Sequence, residues 1–265
     1  MNSTNLKITT ELSNCRVYRV GGCPYFDFYN ADCMEIMKQY PDNHFDLAIV
    51  DPPYGIERFK KPSGTTRFKS SKLMQNIGLT WDNKPTLDYW NELFRISKNQ
   101  IVWGANNFIM PASEYFLVWN KKQTVDNFAS AEYAWVSMGL KTPAKVYDYG
   151  IHKHNTITKI HPTEKPVDLY QFILKNYAKC KQCNGELRVV DDDATGETIP
   201  CETCNGTFKI LDTHLGSASI AIAVHKANVL DKMNLHLTGI EIDVDYFQLA
   251  MNRIKKHVAQ GTLPF

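Results

Sequence analysis

One short segment constrains the fold of this chain more than any other: Asp51-Pro52-Pro53-Tyr54-Gly55. It directly follows residues 45–50, an apolar run with the length of a buried strand. Two consecutive prolines must end that strand, because proline has no N–H for the ladder and holds φ at about −65°. The pattern predicts a parallel strand that places the Asp51 carboxylate at its carboxyl end, where open α/β sheets bind ligands. A strand followed by an ordinary proline-rich turn is the simpler alternative.

The composition is that of a globular protein. The chain has 265 residues, of which 43% are apolar, and this is enough for one large domain or one domain with an insert. Its net charge of +2 does not by itself indicate a nucleic-acid-binding protein. No apolar run is long enough to span a membrane, and the first residues lack the pattern of a signal peptide. Seven cysteines without a disulfide framework are typical of a reducing cytoplasm.

A second carboxylate, Asp32, is predicted to follow a neighbouring strand. Residues 25–29 have the aromatic character of a strand, and residues 34–40 are expected to form a short helix. Asp32 stands just before that helix, where an ordinary N-cap is the simplest interpretation.

Two more acidic residues are predicted at strand ends, and a turn that contains glycine follows the first of them. Asp212 ends a predicted strand over 208–212, and Gly216 stands shortly before an apolar helix. A glycine there lets the backbone approach a ligand closely, and the N-terminus of the helix supplies free N–H groups. Glu241 ends the next predicted strand, where an acid can bind both hydroxyls of a ribose. An ordinary strand-end carboxylate is the alternative.

The remaining periodic segments predict alternating helices and strands. We expect helices over 86–98, 167–177, 220–228 and 245–258. We expect an edge strand around 16–20 and strands over 100–103, 115–119, 132–136, 144–147 and 235–243. The strands over 132–136 and 144–147 are expected to be antiparallel. Residues 1–265 are predicted to form a single domain.

Four of the seven cysteines form two Cys-x-x-Cys pairs, and each pair is followed by Asn-Gly. Cys180, Cys183, Cys201 and Cys204 have the spacing of a four-thiolate zinc site. The repeat suits two matching metal knuckles, in which a tight turn aims backbone N–H groups at sulfur. The polar, hairpin-like stretch between the pairs has no means of building a core alone. We therefore predict a structural zinc in an insert over 180–204; free thiols or a disulfide pair are the alternatives.

Three motifs together resemble those of DNA amino-methyltransferases that use S-adenosylmethionine. Asp-Pro-Pro-Tyr is the catalytic motif of that family, and the segment His161-Pro-Thr-Glu-Lys-Pro166 matches a second hallmark. The third is a glycine loop, which reads Asp-Pro-Phe-x-Gly-Ser-Gly-Thr in the family and Asp212-Thr-His-Leu-Gly-Ser-Ala-Ser219 here. The order of these motifs along the chain marks the beta group of the family. The resemblance runs from about residue 25 to residue 257, apart from the cysteine insert.

The resemblance implies a fold and a cofactor. The fold is a Rossmann-like, seven-stranded, mostly parallel sheet with helices on both faces, and the motif order is circularly permuted. S-adenosylmethionine is the implied methyl donor, and Asp32 would bind its adenine amine. The implied cofactor-binding residues are Asp32, Asp51, Thr163, Lys165, Asp212, Leu215, Gly216, Ser217, Ser219, Glu241 and Ile242. Thr213, His214 and Ala218 depart from the family pattern and put the affinity for the cofactor in question.

The catalytic motif suits an amine of low nucleophilicity. The lone pair of an exocyclic amine on adenine is delocalised into the ring, and acceptors for both N–H groups draw the nitrogen toward a tetrahedral shape. Asp51 and the carbonyl of Pro52 are the predicted acceptors, with Pro53 stiffening the turn. Tyr54 is predicted to stack on a base flipped out of the helix. Within the family, Asp at the start of the motif implies adenine N6 as the target, since cytosine-N4 enzymes usually carry Ser.

Two segments are predicted to contact DNA. The stretch after Gly55 has no periodicity, and we interpret residues 56–80 as a mobile arm that orders on DNA. Its cations are Arg58, Lys60, Lys61, Arg67, Lys69 and Lys72, with two aromatic rings between them. A solvated loop is the alternative. Residues 139–160 lie where the family places target recognition, and they carry several basic side chains.

Three other functions remain open at this point. The chain is also compatible with a cytosine-N4 methyltransferase, with a methyltransferase acting on RNA or protein, and with a zinc-bearing DNA-binding protein that holds no cofactor. DNA is the predicted partner. A homodimer and a partner restriction endonuclease are further expectations, and the expected location is the cytoplasm, away from membranes.

Overall fold

The computed structural model describes residues 7–12, 15–20, 23–55, 83–126, 129–151, 153, 160–161, 164–180, 182–184, 186, 188–190 and 198–260. Ten of the described strands form one sheet: β1 (Lys7–Leu12), β2 (Cys15–Arg19), β3 (Phe26–Asn30), β4 (Leu47–Val50), β5 (Gln100–Trp103), β6 (Phe116–Asn120), β7 (Ala131–Val136), β8 (Lys145–Asp148), β11 (Phe208–Asp212) and β12 (Leu235–Glu241). Two more, β9 (Arg188–Val190) and β10 (Thr198–Pro200), form a separate antiparallel hairpin.

The large sheet has the strand order β1-β2-β3-β12-β11-β4-β5-β7-β6-β8. Its centre, from β3 to β5, is entirely parallel. On one side of this centre β7 runs antiparallel to both of its neighbours, and β6 lies beyond it. The seven strands from β3 to β6 are the predicted mostly parallel sheet.

The described helices cover both faces of this sheet. They are α1 (Cys33–Met37), α2 (Leu87–Ile96), α3 (Val167–Tyr177), α4 (Ser219–Leu230) and α5 (Val244–Gln260). The larger core contains buried side chains of α3, α4 and α5, and the smaller core contains those of α1 and α2. β4 is buried along its whole length and is apolar throughout, as expected for a parallel strand covered on both faces. The predicted fold class, a Rossmann-like α/β fold, is confirmed.

Three strands extend the predicted seven. β1 and β2 add to the β3 side through antiparallel pairing. The strand predicted around 16–20 is present as β2, but it is not an edge strand, because β1 pairs with its outer side. β8 pairs in parallel with β6 on the opposite side. β7 and β8 do run in opposite directions, as predicted, but they are not neighbours, because β6 lies between them.

The two edges of the central sheet carry different parts of the chain. The Asp-Pro-Pro-Tyr segment follows β4 and therefore lies at the carboxyl edge. The cysteine insert connects α3 to the start of β11 and lies at the opposite, amino edge, where Lys98 Nζ donates to the Thr203 carbonyl over 3.3 Å. Among the described residues, no helix combines the length and apolarity that a membrane crossing requires.

Candidate active site

Four neighbouring strands bring the predicted acidic residues to one edge of the sheet. β3, β12, β11 and β4 are adjacent and parallel, so Asp32, Glu241, Asp212 and Asp51 follow or end strands on the same side. A cavity of about 540 Å³ opens there. This volume is within the range of small-molecule sites.

The cavity joins most of the predicted catalytic and cofactor-binding residues. Those that line it are Asp32, Asp51, Pro52, Pro53, Tyr54, Lys165, Leu215, Gly216, Ser217, Ser219, Glu241 and Ile242. Asp212 lies beneath the cavity surface, since it is only 2% exposed and its Oδ1 accepts the His214 N–H over 3.0 Å. Burial raises the pKa of Asp212 to about 7. Thr163 and the six predicted DNA-contacting cations lie outside the described residues.

Both oxygens of the Asp51 carboxylate already have donors. Tyr54 Oη donates to Oδ1 over 2.6 Å, and the Lys165 ammonium contacts Oδ2. The Tyr54 ring packs closely against Gly104, which has a φ of +63°; a Cβ there would come within 2.2 Å of the ring. Only glycine therefore fits beneath this tyrosine. Burial, with the neighbouring Asp51 carboxylate, raises the pKa of the Tyr54 hydroxyl, so it acts as a donor.

Lys165 also approaches a carboxylate that the sequence did not indicate. Its Nζ lies 3.4 Å from Glu132 Oε2, while Glu132 Oε1 lies 2.6 Å from Lys121 Nζ. Glu132 is near the start of β7, and because β7 is antiparallel, its first residues meet the carboxyl edge of the parallel strands. The only local signal for this residue is an acid at the beginning of an otherwise apolar strand.

The glycine loop is built tightly around Glu241. Glu241 Oε2 accepts the Gly216 N–H over 2.8 Å, and Oε1 accepts the Asp243 N–H over 3.0 Å. These backbone donors fix the Glu241 carboxylate at the wall of the cavity. Ala218 occupies the position of the second family glycine and adopts a left-handed conformation, with φ of 57° and no solvent exposure. The loop therefore forms with alanine, at a modest steric penalty.

Arg253 of α5 ties this loop to the His-Pro-Thr-Glu-Lys-Pro segment. Its Nη2 lies 2.9 Å from Glu164 Oε1, and the Glu164 side chain is 1% exposed. Its Nη1 donates to the Ser217 carbonyl over 2.8 Å and to Ser219 Oγ over 3.0 Å. One partly buried guanidinium thus connects two motifs that are distant in sequence, and Glu164 is its ion-pair partner in the second motif.

Two of the three residues that depart from the family pattern, Thr213 and His214, form a connected group with Tyr89 at the cavity. Thr213 Oγ1 lies 2.7 Å from Tyr89 Oη and 2.9 Å from His214 Nδ1. The Tyr89 and His214 rings are in edge contact, with centroids 5.6 Å apart. His214 thus lines the cavity, and Tyr89 was missed because its contact with Thr213 depends on the packing of α2.

Asp32 caps α1, as the simplest interpretation expected. Its Oδ1 accepts the Met34 N–H over 2.8 Å. The same side chain lines the cavity, so its capping role leaves the other carboxylate oxygen available to a ligand. Its predicted contact with the cofactor adenine remains a prediction.

The four predicted metal ligands converge at the amino edge. The sulfur atoms of Cys180, Cys183, Cys201 and Cys204 all lie within 4.8 Å of one another, and all four residues are buried. Sγ separations of 3.6 and 3.8 Å exclude disulfide bonds between the closest pairs, since a disulfide needs about 2.0 Å. They suit a tetrahedral ion with metal–sulfur bonds of about 2.3 Å. Asn184 and Asn205 both have φ of 48°, so the two knuckles repeat the same turn.

The fold and the site agree with the motif resemblance. The sheet order, with an Asp-Pro-Pro-Tyr segment beside a glycine loop at the carboxyl edge, is what the resemblance to amino-methyltransferases implies. The chain is 23% identical over 269 residues to the Type II methyltransferase M.ScaI of Streptomyces caespitosus, covering 88% of this chain and 84% of that one. The resemblance to beta-group amino-methyltransferases that the motifs predict is confirmed.

Other comparisons are more limited. A segment of 40 residues is 40% identical to the Type II methyltransferase M.BamHI of Bacillus amyloliquefaciens, which is 13% of this chain and 10% of that protein. Among solved structures, the M1.HpyAVI–SAM complex matches with a TM-score of 0.47 at 15% identity, covering 86% of this chain and 99% of that one. The PvuII cytosine-N4-specific DNA methyltransferase matches with a TM-score of 0.48 at 10% identity, covering 89% and 92%. No protein-family model matches the chain.

Proposed function

We propose that this protein is a DNA methyltransferase that uses S-adenosylmethionine and acts on the N6 amine of a flipped-out adenine. One observation carries the proposal: a single cavity joins the Asp-Pro-Pro-Tyr segment to the loop around Gly216 and Glu241. A site that transfers a group between two bound molecules needs such a connection, because the donor and the acceptor must meet. The similarity to M.ScaI over most of both chains supports the reaction class.

The cavity residues fit the proposed cofactor. Gly216 gives the loop a close approach with no side chain in the way, and Glu241, on the same cavity wall, would bind the ribose. Asp32 follows β3, the neighbour of β12, and would bind the adenine amine. When bound, S-adenosylmethionine supplies a methyl group whose carbon–sulfur bond breaks as the amine nitrogen bonds to the carbon, with the electron pair staying on sulfur.

The protein's own contribution is to hold the target amine. Asp51 accepts one amine N–H and the Pro52 carbonyl accepts the other, which frees the nitrogen lone pair for attack. Tyr54 supplies an aromatic face for the flipped base. The proton that the nitrogen releases passes to water. Catalysis on this scheme is positioning, because the amine attacks the methyl carbon directly and no covalent enzyme intermediate forms.

The choice of adenine over cytosine as the target base rests on Asp51, the first residue of the motif. Cytosine N4 is the alternative, and the PvuII enzyme, a structural neighbour, is cytosine-N4-specific. DNA treated with the protein and labelled cofactor, then digested to nucleosides and analysed by mass spectrometry, separates the two products. N6-methyladenine supports the proposal, and N4-methylcytosine contradicts its adenine part only.

Asp51→Ala is expected to abolish methyl transfer while cofactor binding survives, because the carboxylate holds the target amine and lies outside the glycine loop. We expect a loss of at least about 10²–10³-fold in single-turnover rate, the scale of removing one transition-state hydrogen bond. Calorimetry measures the cofactor affinity of the same preparation. Asp42→Asn, which removes an exposed carboxylate paired with Arg95, serves as the control. An Asp51→Ala enzyme with full activity contradicts the proposed site.

Two further parts of the proposal concern metal and DNA. We infer one structural zinc held by the four cysteine sulfurs, since their number, burial and separations fit a tetrahedral thiolate site. We also propose that the basic residues between Arg58 and Lys72 contact backbone phosphates, and that residues 139–160 take part in target recognition.

A catalytically inactive DNA-binding protein is the competing function. Binding of S-adenosylmethionine with turnover distinguishes the two.

A further inference from the structure

Four charged side chains from separate parts of the chain meet beside the catalytic segment: Asp51, Lys165, Glu132 and Lys121. The Lys165 ammonium contacts Asp51 and lies 3.4 Å from Glu132, and Lys121 lies 2.6 Å from the other Glu132 oxygen. Carboxylates and ammonium groups alternate, so the formal charges of the four cancel. All four side chains line the cavity.

Lys165 is the buried centre of this network. Its side chain is 4% exposed, and its Nζ lies 5.3 Å from the centroid of the Trp103 ring. Burial alone lowers the pKa of an ammonium, but the Asp51 and Glu132 carboxylates raise the pKa of Lys165 above its ordinary value. Lys165 is therefore charged at neutral pH, and its position depends on two carboxylates and not on Asp51 alone.

Glu132 is itself held in place. Lys121 binds Oε1, which leaves Oε2 directed toward Lys165 and inaccessible to solvent. Burial raises the pKa of Glu132, but the two lysines outweigh it, and the pKa lies below its ordinary value. Turning Glu132 away from Lys165 would break its contact with Lys121 and leave a buried ammonium with one counter-charge, which is unfavourable.

The occupied state of Asp51 has a consequence for the target amine. Both carboxylate oxygens already have donors, Tyr54 on Oδ1 and Lys165 on Oδ2. An incoming N–H must therefore replace one donor or share its oxygen. Among the described residues, Asp51 is the single hydrogen-bond partner of the Tyr54 hydroxyl, whereas Lys165 is also held by Glu132 and faces the Trp103 ring. Displacing Tyr54 from Asp51 therefore requires less free energy than displacing Lys165.

We propose that Glu132, acting through Lys165, positions the Asp51 carboxylate for the target amine, and that Tyr54 releases Asp51 Oδ1 when the base enters. The inference rests on the proposed function and assigns two positioning residues to it. Lys165 keeps its proton throughout and takes no part in proton transfer. Its contact with Asp51 Oδ2 fixes the rotation of the carboxylate, so that Oδ1 faces the cavity.

A double-mutant cycle tests whether Glu132 acts through Lys165. The variants are Glu132→Gln, Lys165→Met and the double mutant, measured by single-turnover methyl transfer with cofactor affinity from calorimetry. We expect Glu132→Gln to lower the rate at least about tenfold, with the cofactor dissociation constant changed less than about threefold. The same substitution is expected to have no further effect in the Lys165→Met background, because residues that act as a unit are not additive. Glu132→Asp, which keeps the charge, should restore part of the rate.

Glu92→Gln is the matched control, since Glu92 pairs with Arg95 on α2 away from the cavity. Spectra of protein with ¹⁵N-labelled lysine supply a readout that needs no turnover. The Lys165 ammonium signal, assigned by its loss in Lys165→Met, is expected to move in Glu132→Gln and to stay in place in Glu92→Gln.

Three results overturn the inference: an unchanged rate in Glu132→Gln, additive losses in the double mutant, or a Lys165 signal that does not respond to Glu132→Gln. A wild-type protein that transfers no methyl group overturns the proposed function instead. In that case the lysine spectrum alone decides whether Glu132 holds Lys165.

Discussion

Two histidines at the cavity are neutral at pH 7. Burial lowers the pKa of both His161 and His214 to about 4. His161 packs against Tyr246 with ring centroids 4.3 Å apart, and its ring lies 3.6 Å from the position that a Cβ on Gly216 would take. At both places the loss of hydration on burial outweighs the attraction of the nearby carboxylates, so the neutral ring is favoured. The site is thus built for uncharged rings beside the glycine loop.

His214 is expected to make the protein sensitive to acid. In the unfolded chain its imidazole gains a proton near pH 6.5, but in the folded protein it does so only near pH 4. The unfolded state therefore binds more protons in this interval, and stability falls as the pH decreases from about 6.5, by at most about 1.4 kcal/mol per pH unit. His214→Gln, measured by thermal unfolding at pH 7, 6 and 5, should show a smaller decline than the wild type. Equal losses of stability in the wild type and in His214→Gln as the pH decreases would contradict this account.

Motif residues could be predicted and their partners could not. Asp51, Gly216 and Glu241 were found because each follows a strand in a local pattern, and the parallel sheet then brings the strand ends together. Glu132 was missed, and its contacts with Lys121 and Lys165 could not be predicted, because they depend on where β6 and β7 lie across the sheet. No local spacing records a contact between strands that are paired only in the folded protein.

At the scale of elements, the cysteine insert replaces what would otherwise be a short connection between α3 and β11. β9 and β10 pair as an antiparallel hairpin, with Thr198 opposite Val190, in agreement with the hairpin-like sequence. The described part of the insert contributes its four cysteines to the larger core and few other buried side chains. Stability of the insert is therefore expected to come from metal binding rather than from apolar packing.

Removal of zinc is expected to loosen the insert before the rest of the protein. Thiolate binding favours the folded insert over the unfolded one, so a chelator should raise hydrogen exchange over residues 180–204 first. Cys201→Ser should give the same result without a chelator, while Cys23→Ser, in the main core away from the cluster, should not. Metal analysis should find about one zinc per chain. Less than about a tenth of an equivalent, with all thiols reduced, contradicts the site.

Element types were predictable from the sequence, and the pairing at the sheet margin was not. The parallel strands are apolar runs bounded by turns, and their ends agree with prediction within about two residues. β8 has only four residues, with burial that alternates between half-buried and exposed, so its sequence does not select a partner. Its neighbour is set by the position of β6, which is a property of the whole sheet.

At the scale of the molecule, the two edges of the sheet are chemically distinct. The carboxyl edge holds the cavity, and the basic sequence from Arg58 to Lys72 follows directly on Gly55 at that edge. The amino edge holds the cysteine cluster and a second cavity, whose lining includes Lys175, Lys179 and Lys232. If DNA reaches a flipped base at the carboxyl edge, only cations near that edge are in a position to neutralise its phosphates.

The salt dependence of DNA binding should therefore distinguish the two edges. Each phosphate contact contributes a slope of about 0.9 in the logarithm of affinity against the logarithm of salt concentration. Replacement of Lys60, Lys61 and Lys69 by Ala is expected to flatten this slope and to weaken binding to all sequences alike, because phosphates carry no sequence information. The matched triple variant of Lys175, Lys179 and Lys232 removes the same charge from the opposite edge, and it should leave the slope unchanged.

Equal effects of the two variants would mean that net charge and not location sets the affinity. A shifted target sequence with an unchanged slope would mean that the segment after Gly55 reads bases.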